Sequence, residues 1–298
     1  MDAIRTTNLT KYYGKARGIV DLNLTVPEGA FFGFIGPNGA GKSTTIRSLL
    51  GLIRPTGGSA AILGMDAVRD SKAILTRVGY LPSEASLYPN LRVRELLKLS
   101  ADLRKTDCRR EADILCERLQ LDPARRIREL SLGNRKKAAI VCALQHRPEL
   151  LMLDEPTSGL DPLMQREFFS ILRERNADGA TVFLSSHVLS EVQRHCRSAA
   201  VVREGRLIAS GSVRELSGGS ARRVVVRGNV ELEGLSGVRD MRAADGSVSF
   251  LYSGDRGALL QRLAAGRVED LSVTEPDLEE VFLHYYEEGG EKRDADEA

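Results

Sequence analysis

One glycine-rich segment limits the possible folds of this chain more than any other feature. Residues 36–44 read GPNGAGKST, which fits the pattern G-x-x-x-x-G-K-[ST]. The apolar run AFFGFI at 30–35 predicts a buried strand before this segment, and a helix is predicted after it, from about 42 to 52. A strand, a glycine-rich turn and a helix in this order predict an α/β fold with a phosphate-binding loop.

The residue types in this loop suit a bound phosphate. Glycine lets the backbone turn so that successive N–H groups point at one anion, and the N-terminal end of the following helix adds positive potential. The lysine supplies a charge to the β- and γ-phosphates of a nucleotide, and the serine supplies an oxygen ligand for Mg²⁺. The candidate nucleotide-binding residues of the loop are Gly36, Pro37, Asn38, Gly39, Ala40, Gly41, Lys42, Ser43 and Thr44.

Two acids follow a second apolar strand, in LLMLDEP at 150–156. An acid at the end of this strand can hold Mg²⁺ opposite Ser43, and we expect Asp154 to do so. Glu155 is expected to point the other way along the pleat, where it can polarise an attacking water. A pair of surface acids at a strand end is the alternative interpretation. The chain has no NKxD sequence for guanine recognition, which favours ATP over GTP.

Taken together, several segments resemble the ATP-binding cassette (ABC) ATPases. The resemblance runs through LLMLDEPTSGLDP at 150–162, SLGN at 131–134, which is similar to the LSGGQ signature, and TVFLSSHVLSEV at 181–192. It covers about residues 1–216. It implies an α/β fold of the P-loop NTPase type, an ABC cassette with a mixed sheet core plus antiparallel β and helical subdomains.

The resemblance also implies roles for residues outside the loop. Tyr13, in TKYYGK, would stack on adenine, and His187 would contact the γ-phosphate and act with Glu155 as a catalytic residue. Ser131 and Gly133 of the signature would contact the γ-phosphate bound by the opposite protomer, and Asp161 would lie at the dimer seam. A packing role for Tyr13 and a surface position for His187 remain open as alternatives.

Three positions depart from the family pattern. The family commonly has Gln where this chain has Ser83, so Ser83 is expected to be a weak metal ligand and coupling to a membrane partner is in doubt. Leu132 and Asn134 replace Gly and Gln of the signature. We therefore expect a working but slower ATPase.

Composition excludes several classes of protein. The net charge is only +2, so we expect no nucleic-acid partner. The longest apolar runs are far shorter than the roughly 20 residues of a membrane-spanning helix, and the N-terminal MDAIRTTNL lacks a signal-peptide core. Four cysteines without a CxxC pair predict reduced thiols. The basic stretch at 104–137 is expected to be a solvated helical surface.

The chain is expected to have two domains and a tail. Residues 1–218 are predicted to form the ABC ATPase domain and 219–288 a small α+β accessory domain, after a linker at 217–220. RRVVVR and GSVSFLY predict strands, and GALLQRLAAG and PDLEEVFLHYY predict helices. Residues 289–298 are acidic and are predicted to be a disordered tail.

A narrower resemblance concerns function. GYLP, SLYPNLRVRELL, SLGN and PDLEEVFLHYY resemble bacterial drug- and antibiotic-export ATPases. The resemblance implies an ATP-hydrolysing subunit that uses ATP and Mg²⁺ and drives a separately encoded transmembrane permease at the cytoplasmic face of the membrane. It would act as a homodimer, or as a heterodimer with a paralogous ATPase. The alternatives are a soluble ABC ATPase acting on nucleic acid or the ribosome, and an importer ATPase.

Overall fold

The structure, a computed structural model, describes residues 1–217, 221–244 and 246–274. The chain divides into two compact units, Met1–Gly211 and a second unit that begins at Ser212. The division therefore falls a few residues before the predicted boundary at 218. Most of the predicted linker, the predicted helix PDLEEVFLHYY and the predicted acidic tail at 289–298 lie outside the described residues.

The first unit contains both strands and helices. Its strands are β1 (Asp2–Tyr13), β2 (Ala16–Leu22), β3 (Thr25–Pro27), β4 (Phe31–Ile35), β5 (Gly57–Ile62), β6 (Met65–Asp66), β7 (Val78–Leu81), β8 (Leu150–Asp154), β9 (Thr181–Ser186), β10 (Ser198–Arg203) and β11 (Arg206–Ser212). Its helices are α1 (Lys42–Leu49), α2 (Ser71–Arg77), α3 (Val93–Arg104), α4 (Arg109–Arg118), α5 (Leu132–Leu144), α6 (Pro162–Ala177) and α7 (Leu189–His195), with a 3₁₀ turn at Ile127–Glu129.

The centre of this unit is a six-stranded sheet in the order β11-β10-β4-β9-β8-β7. The strands from β10 to β7 run parallel to their neighbours. Strands buried on both faces read as continuous apolar runs, and every residue of β4 and β8 is buried, as the sequence predicts. Because parallel strands end at the same edge of the sheet, the segments after β4 and β8 emerge near one another.

The core lies against this sheet. Phe34 and Phe183, on the neighbouring strands β4 and β9, have ring centroids 5.2 Å apart. Ile46 and Leu49 of α1 are fully buried in the same cluster. This packing fixes α1, and hence the loop before it, to the centre of the sheet.

A second sheet is formed by strands from the N-terminal part of the chain. Its order is β2-β1-β5-β6, and β3 also pairs with β1. The alternation of apolar residues from Val20 to Val26 predicts one strand, and this is wrong: β2 and β3 are separate strands, both paired with β1. The Thr6 hydroxyl fills the break, since it donates to Leu22 O and accepts from Leu24 N, both at 2.8 Å. The four apolar side chains are nevertheless all buried, as expected.

The sequence predicts helices at 91–103 and 109–121, and the structure confirms them as α3 and α4 within a few residues. Helices α5 and α6 are not predicted from the sequence. Each begins directly after a residue whose side chain caps it, Ser131 for α5 and Asp161 for α6. Such caps satisfy N–H groups that have no partner within the helix.

The second unit has its own sheet and core. Its elements are α8 (Val213–Leu216), β12 (Arg222–Asn229), β13 (Val238–Ala244), β14 (Ser247–Tyr252), α9 (Arg256–Ala265) and β15 (Arg267–Thr274). The strands form an antiparallel sheet in the order β13-β14-β12-β15. Val224, Phe250 and Leu263 are buried together between the sheet and α9. The two predicted strands are therefore present, and the helix predicted at 257–266 is present as α9, shifted by one residue.

Within the described residues, no helix combines the length and the apolar character that crossing a membrane requires.

Candidate active site

The glycine-rich loop connects β4 to α1 and curls around its own lysine. Lys42, the first residue of α1, is only 6% exposed, and its Nζ donates to Gly36 O at 2.6 Å and Pro37 O at 3.1 Å. Gly41 has φ +101° and a Cβ there would lie 2.7 Å from Gly18 O, so glycine is required. The loop therefore holds a buried ammonium at the start of a helix, where anions are favoured.

A cleft of about 300 Å³ opens beside this loop. Its lining brings the loop together with Tyr13, Arg17, Ser83 and Glu155, which come from the β1–β2 hairpin and from two distant segments of the chain. A cleft that joins an aromatic side chain, a phosphate-binding loop and a carboxylate has the components that a nucleoside phosphate needs.

Tyr13 lies at the end of β1 with 48% of its surface exposed. The Nζ of Lys11 is 5.3 Å from the centroid of its ring, a cation–π contact. A Cβ on Gly18 would lie 3.1 Å from both Tyr13 Cε2 and Thr44 Cγ2. The missing side chain at position 18 therefore lets the Tyr13 ring approach the loop.

Asp154 is the last residue of β8 and is completely buried. Its Oδ1 accepts a hydrogen bond from Ser185 Oγ at 2.9 Å, while its Oδ2 is buried and has no hydrogen-bond partner among the described residues. A buried carboxylate oxygen is costly unless it is paired, so this oxygen suits a cation. No group of three or more His, Cys, Asp or Glu side chains that could hold a metal ion occurs in the described part of the chain, so a cation here needs hydroxyl, water or phosphate oxygens as further ligands.

Glu155 joins the loop to His187. Its Oε1 is 3.1 Å from Lys42 Nζ and its Oε2 is 2.6 Å from His187 Nδ1. The sequence predicts that Asp154 and Glu155 diverge because of the strand pleat. They do diverge, but the cause is different: Glu155 has φ +48°, and this left-handed residue follows the end of β8. Its N–H donates to Ser185 O at 3.1 Å, which helps to fix the turn.

A buried lysine that was not predicted as a site residue lies beside this turn. Lys136 of α5 is 6% exposed, and its Nζ donates to Ser83 O at 3.0 Å, Glu155 O at 3.1 Å and Pro82 O at 3.3 Å. Burial lowers its pKa to about 8, although the Asp154 and Glu155 carboxylates oppose the shift.

The prediction of a solvated basic surface across 104–137 is therefore wrong at its C-terminal end, where Lys136 and Lys137 are both buried. The clue in the sequence is the apolar run AAIVCAL at 138–144, which continues the same helix. When such an apolar helix packs into the core, a lysine on its first turns can be buried with it.

Comparisons with known proteins decide the family. A profile described as "ABC transporter" matches residues 19–158. The bacitracin transport ATP-binding protein BcrA of Bacillus licheniformis is 41% identical over 211 residues, which cover 69% of this chain and 68% of that protein. The daunorubicin resistance ATP-binding protein DrrA3 of Streptomyces coeruleorubidus is 36% identical over 300 residues, 95% of each chain. The chain belongs to the ABC transporter family.

A solved structure described as the ATP binding subunit of an ABC transporter is also similar. It is 30% identical with a TM-score of 0.69, and the match covers 72% of this chain and 91% of that one. The predicted ABC cassette fold is thereby confirmed, and the chain is an ATPase that binds a nucleotide.

The signature residues of this ABC ATPase do not line the cleft, as far as the structure describes the chain. Ser131 is exposed and its Oγ accepts from Asn134 N at 3.3 Å. Gly133 lies so near Gly159 O that a Cβ would be 2.8 Å from it. Leu132, between them, is exposed. A single chain therefore presents the signature on its surface.

Asp161 is likewise exposed and outside the cleft lining. Its Oδ1 accepts from Leu163 N at 3.1 Å and from Met164 N at 3.0 Å, so it caps α6. The local structure of the segment SGLDP, at the start of α6, therefore accounts for the position of Asp161.

Proposed function

We propose that this chain is the ATP-hydrolysing subunit of an ABC exporter that removes antibiotics or other drugs through a separately encoded transmembrane permease. The observation that carries the catalytic part is the position of Glu155, between Lys42 and His187 at a cleft lined by the glycine-rich loop. The transport part is supported by BcrA, a bacitracin transport protein, and DrrA3, a daunorubicin resistance protein.

The cleft suits ATP in one orientation. The adenine stacks on Tyr13, whose ring is half exposed, and the phosphates lie along residues 36–44 with Lys42 as the cation. The unpartnered Oδ2 of Asp154 and the hydroxyl of Ser43 would hold Mg²⁺, with Ser83 as a weak further ligand. When bound, Mg²⁺ offsets the negative charge that develops on the phosphate oxygens.

Glu155 acts as the general base in this proposal. Its carboxylate accepts a proton from the attacking water, and His187, 2.6 Å away, holds the carboxylate in place and contacts the γ-phosphate. Lys42 exchanges its contact with Glu155 for the phosphates when ATP is bound, which leaves Oε1 of Glu155 available to the water.

The complete site needs two chains. Ser131 is exposed and Gly133 is partly exposed on one copy, and both contact the γ-phosphate held by the other copy, with Asp161 at the seam. A two-fold interface is self-complementary and forms two equivalent sites. The second chain is another copy or a paralogous ATPase, and the assembly binds its permease at the cytoplasmic face of the membrane.

Co-purification from native membranes tests the transport part. The wild-type chain and Lys42→Ala are each isolated with their bound membrane proteins, and ATP hydrolysis is measured on both. We expect the same permease with both chains and ATP hydrolysis only with the wild type. Recovery of the active wild-type chain without any membrane protein would rule out the exporter.

A further inference from the structure

Lys136 contacts two segments of the cleft without lining the cleft itself. Its ammonium donates to carbonyl oxygens at Pro82 and Ser83, which precede α3, and at Glu155, which follows β8. An ammonium has three N–H donors, and three carbonyl oxygens lie within 3.3 Å. Its charge is therefore satisfied by backbone groups, at a side chain that is almost fully buried.

We propose that Lys136 is a positioning residue for ATP hydrolysis, which fixes the Glu155 carboxylate by holding the backbone of Glu155 and of Ser83 together. The proposal rests on the proposed role of Glu155 as the base.

The backbone at Glu155 explains why such a contact matters. A left-handed conformation at a residue with a side chain is strained and persists only where the surrounding structure holds it. The N–H of Glu155 is held by Ser185 O and its carbonyl by Lys136, so both sides of the residue are fixed. The side chain can then stay between Lys42 and His187.

The contact at Ser83 uses the backbone and not the side chain. Ser83 Oγ is too short to replace a glutamine side chain, but Lys136 reaches Ser83 O at 3.0 Å. The segment at Ser83 is thus joined to Glu155 whatever side chain stands at position 83. The neighbouring Lys137 is also buried, at 8% exposure, but its side chain makes no polar contact within the described residues, so it is a matched control.

The first measurement is steady-state ATP hydrolysis by the full chain with Lys136→Met, Lys136→Arg and Lys137→Met. We expect Lys136→Met to lower kcat by about 10- to 100-fold with KM for ATP changed less than about threefold, because positioning of the base affects the chemical step. Lys136→Arg keeps the charge and should restore part of kcat, while Lys137→Met should stay near the wild type. If Lys136→Met does not fold, Lys136→Gln is measured in its place against the same expectation.

The second measurement is hydrogen exchange without added nucleotide at the backbone amides of the segment 83–84 and of Glu155, since Pro82 and Pro156 have no N–H. Exchange should increase at both places in Lys136→Met and at neither in Lys137→Met. Unchanged exchange, an unchanged kcat, or a loss confined to KM would each overturn the proposal for Lys136 while leaving the wild-type ATPase intact. A wild-type chain that hydrolyses no ATP would instead overturn the proposed function, and the catalytic role of Lys136 with it.

Discussion

Glu155 and His187 share a 2.6 Å hydrogen bond between Oε2 and Nδ1. An ionised carboxylate can only accept hydrogen bonds, so Nδ1 carries the proton. The bond thereby fixes both the orientation and the tautomer of the imidazole, as second partners commonly do for functional histidines. The other oxygen of the same carboxylate faces Lys42. The Glu155 side chain thus joins Lys42 and His187, which are far apart in the sequence.

Loss of the loop lysine should abolish hydrolysis. Lys42→Ala removes a charge-assisted contact to phosphate worth about 1.5–3 kcal/mol, so ATP binding should weaken and turnover should fall below detection. Circular dichroism and an ATPase assay are the measurements, with the exposed Lys72→Ala of α2 as the control. Normal turnover by a folded Lys42→Ala protein would remove the phosphate-loop argument.

Loss of the proposed base should stop hydrolysis but not ATP binding. Glu155→Gln keeps the shape of the side chain and removes its basicity, so turnover should fall by about 10²- to 10⁴-fold while ATP still binds. We expect an ATP-bound dimer in size-exclusion chromatography, which the exposed surface variant Glu117→Gln should not accumulate. Rapid turnover by Glu155→Gln would mean that another group activates the water.

A longer side chain at position 83 should strengthen the response to the permease. Ser83→Gln restores the residue that the family commonly has, so ATPase activity should rise more with the permease present than without it. The measurement is the ratio of the two activities in wild type and variant. An equal change under both conditions would assign position 83 to the chemistry rather than to communication.

Mixing two inactive variants should restore part of the activity. In the proposed shared site, Lys42→Ala and Ser131→Arg each disable a different part, so a mixed dimer would contain one site with both defects and one site that is whole. ATPase activity is measured after subunit exchange has been verified, with a control dimer that has a single working site. No recovery in the presence of an active control would contradict a site shared between two chains.

Acid should destabilise the first unit before carboxylates titrate. Burial lowers the pKa of His146 to about 4, and the charge of Arg104 adds to the shift. Between about pH 6.5 and 4 the unfolded chain therefore binds a proton that the folded chain does not, and stability falls as the pH falls, by at most about 1.4 kcal/mol per pH unit.

Urea unfolding at pH 7.5 and pH 5 tests this prediction. His146→Gln should lose less stability between the two values than the wild type. His195, whose pKa is also lowered to about 4 mainly by burial, contributes in the same direction, so His195→Gln is a useful second variant. Equal losses in the wild type and both variants would show that other groups control the pH dependence.

The sequence alone predicts those parts of the fold and site that depend on the residue pattern within one segment. The loop at 36–44, the buried strands before it and before Asp154, and the helix α9 follow from residue types within one segment, and the structure contains them. β1 was not predicted, because its long run DAIRTTNLTKYY has no clean alternation and is held by pairing with β2, β3 and β5.

Contacts made by distant segments could not be predicted in the same way. The left-handed turn at Glu155 depends on Ser185 and Lys136, which lie 30 and 19 positions away in the sequence. Lys136 looks like one more cation in a basic stretch, because its burial is decided by the apolar residues that follow it on α5 and by the carbonyl groups that surround it. Burial of this kind is a property of the packed fold.

Helix α5 begins at the exposed cap Ser131 and carries Lys136 five positions later, a distance of about 7.5 Å along its axis. In the proposed dimer the cap faces the nucleotide of the other chain, whereas Lys136 is bonded to the catalytic turn of its own. This short helical segment would then couple nucleotide binding at one site to the position of the base that acts on the nucleotide at the other site. About one and a half turns of this helix would then determine whether the two sites hydrolyse ATP alternately or together.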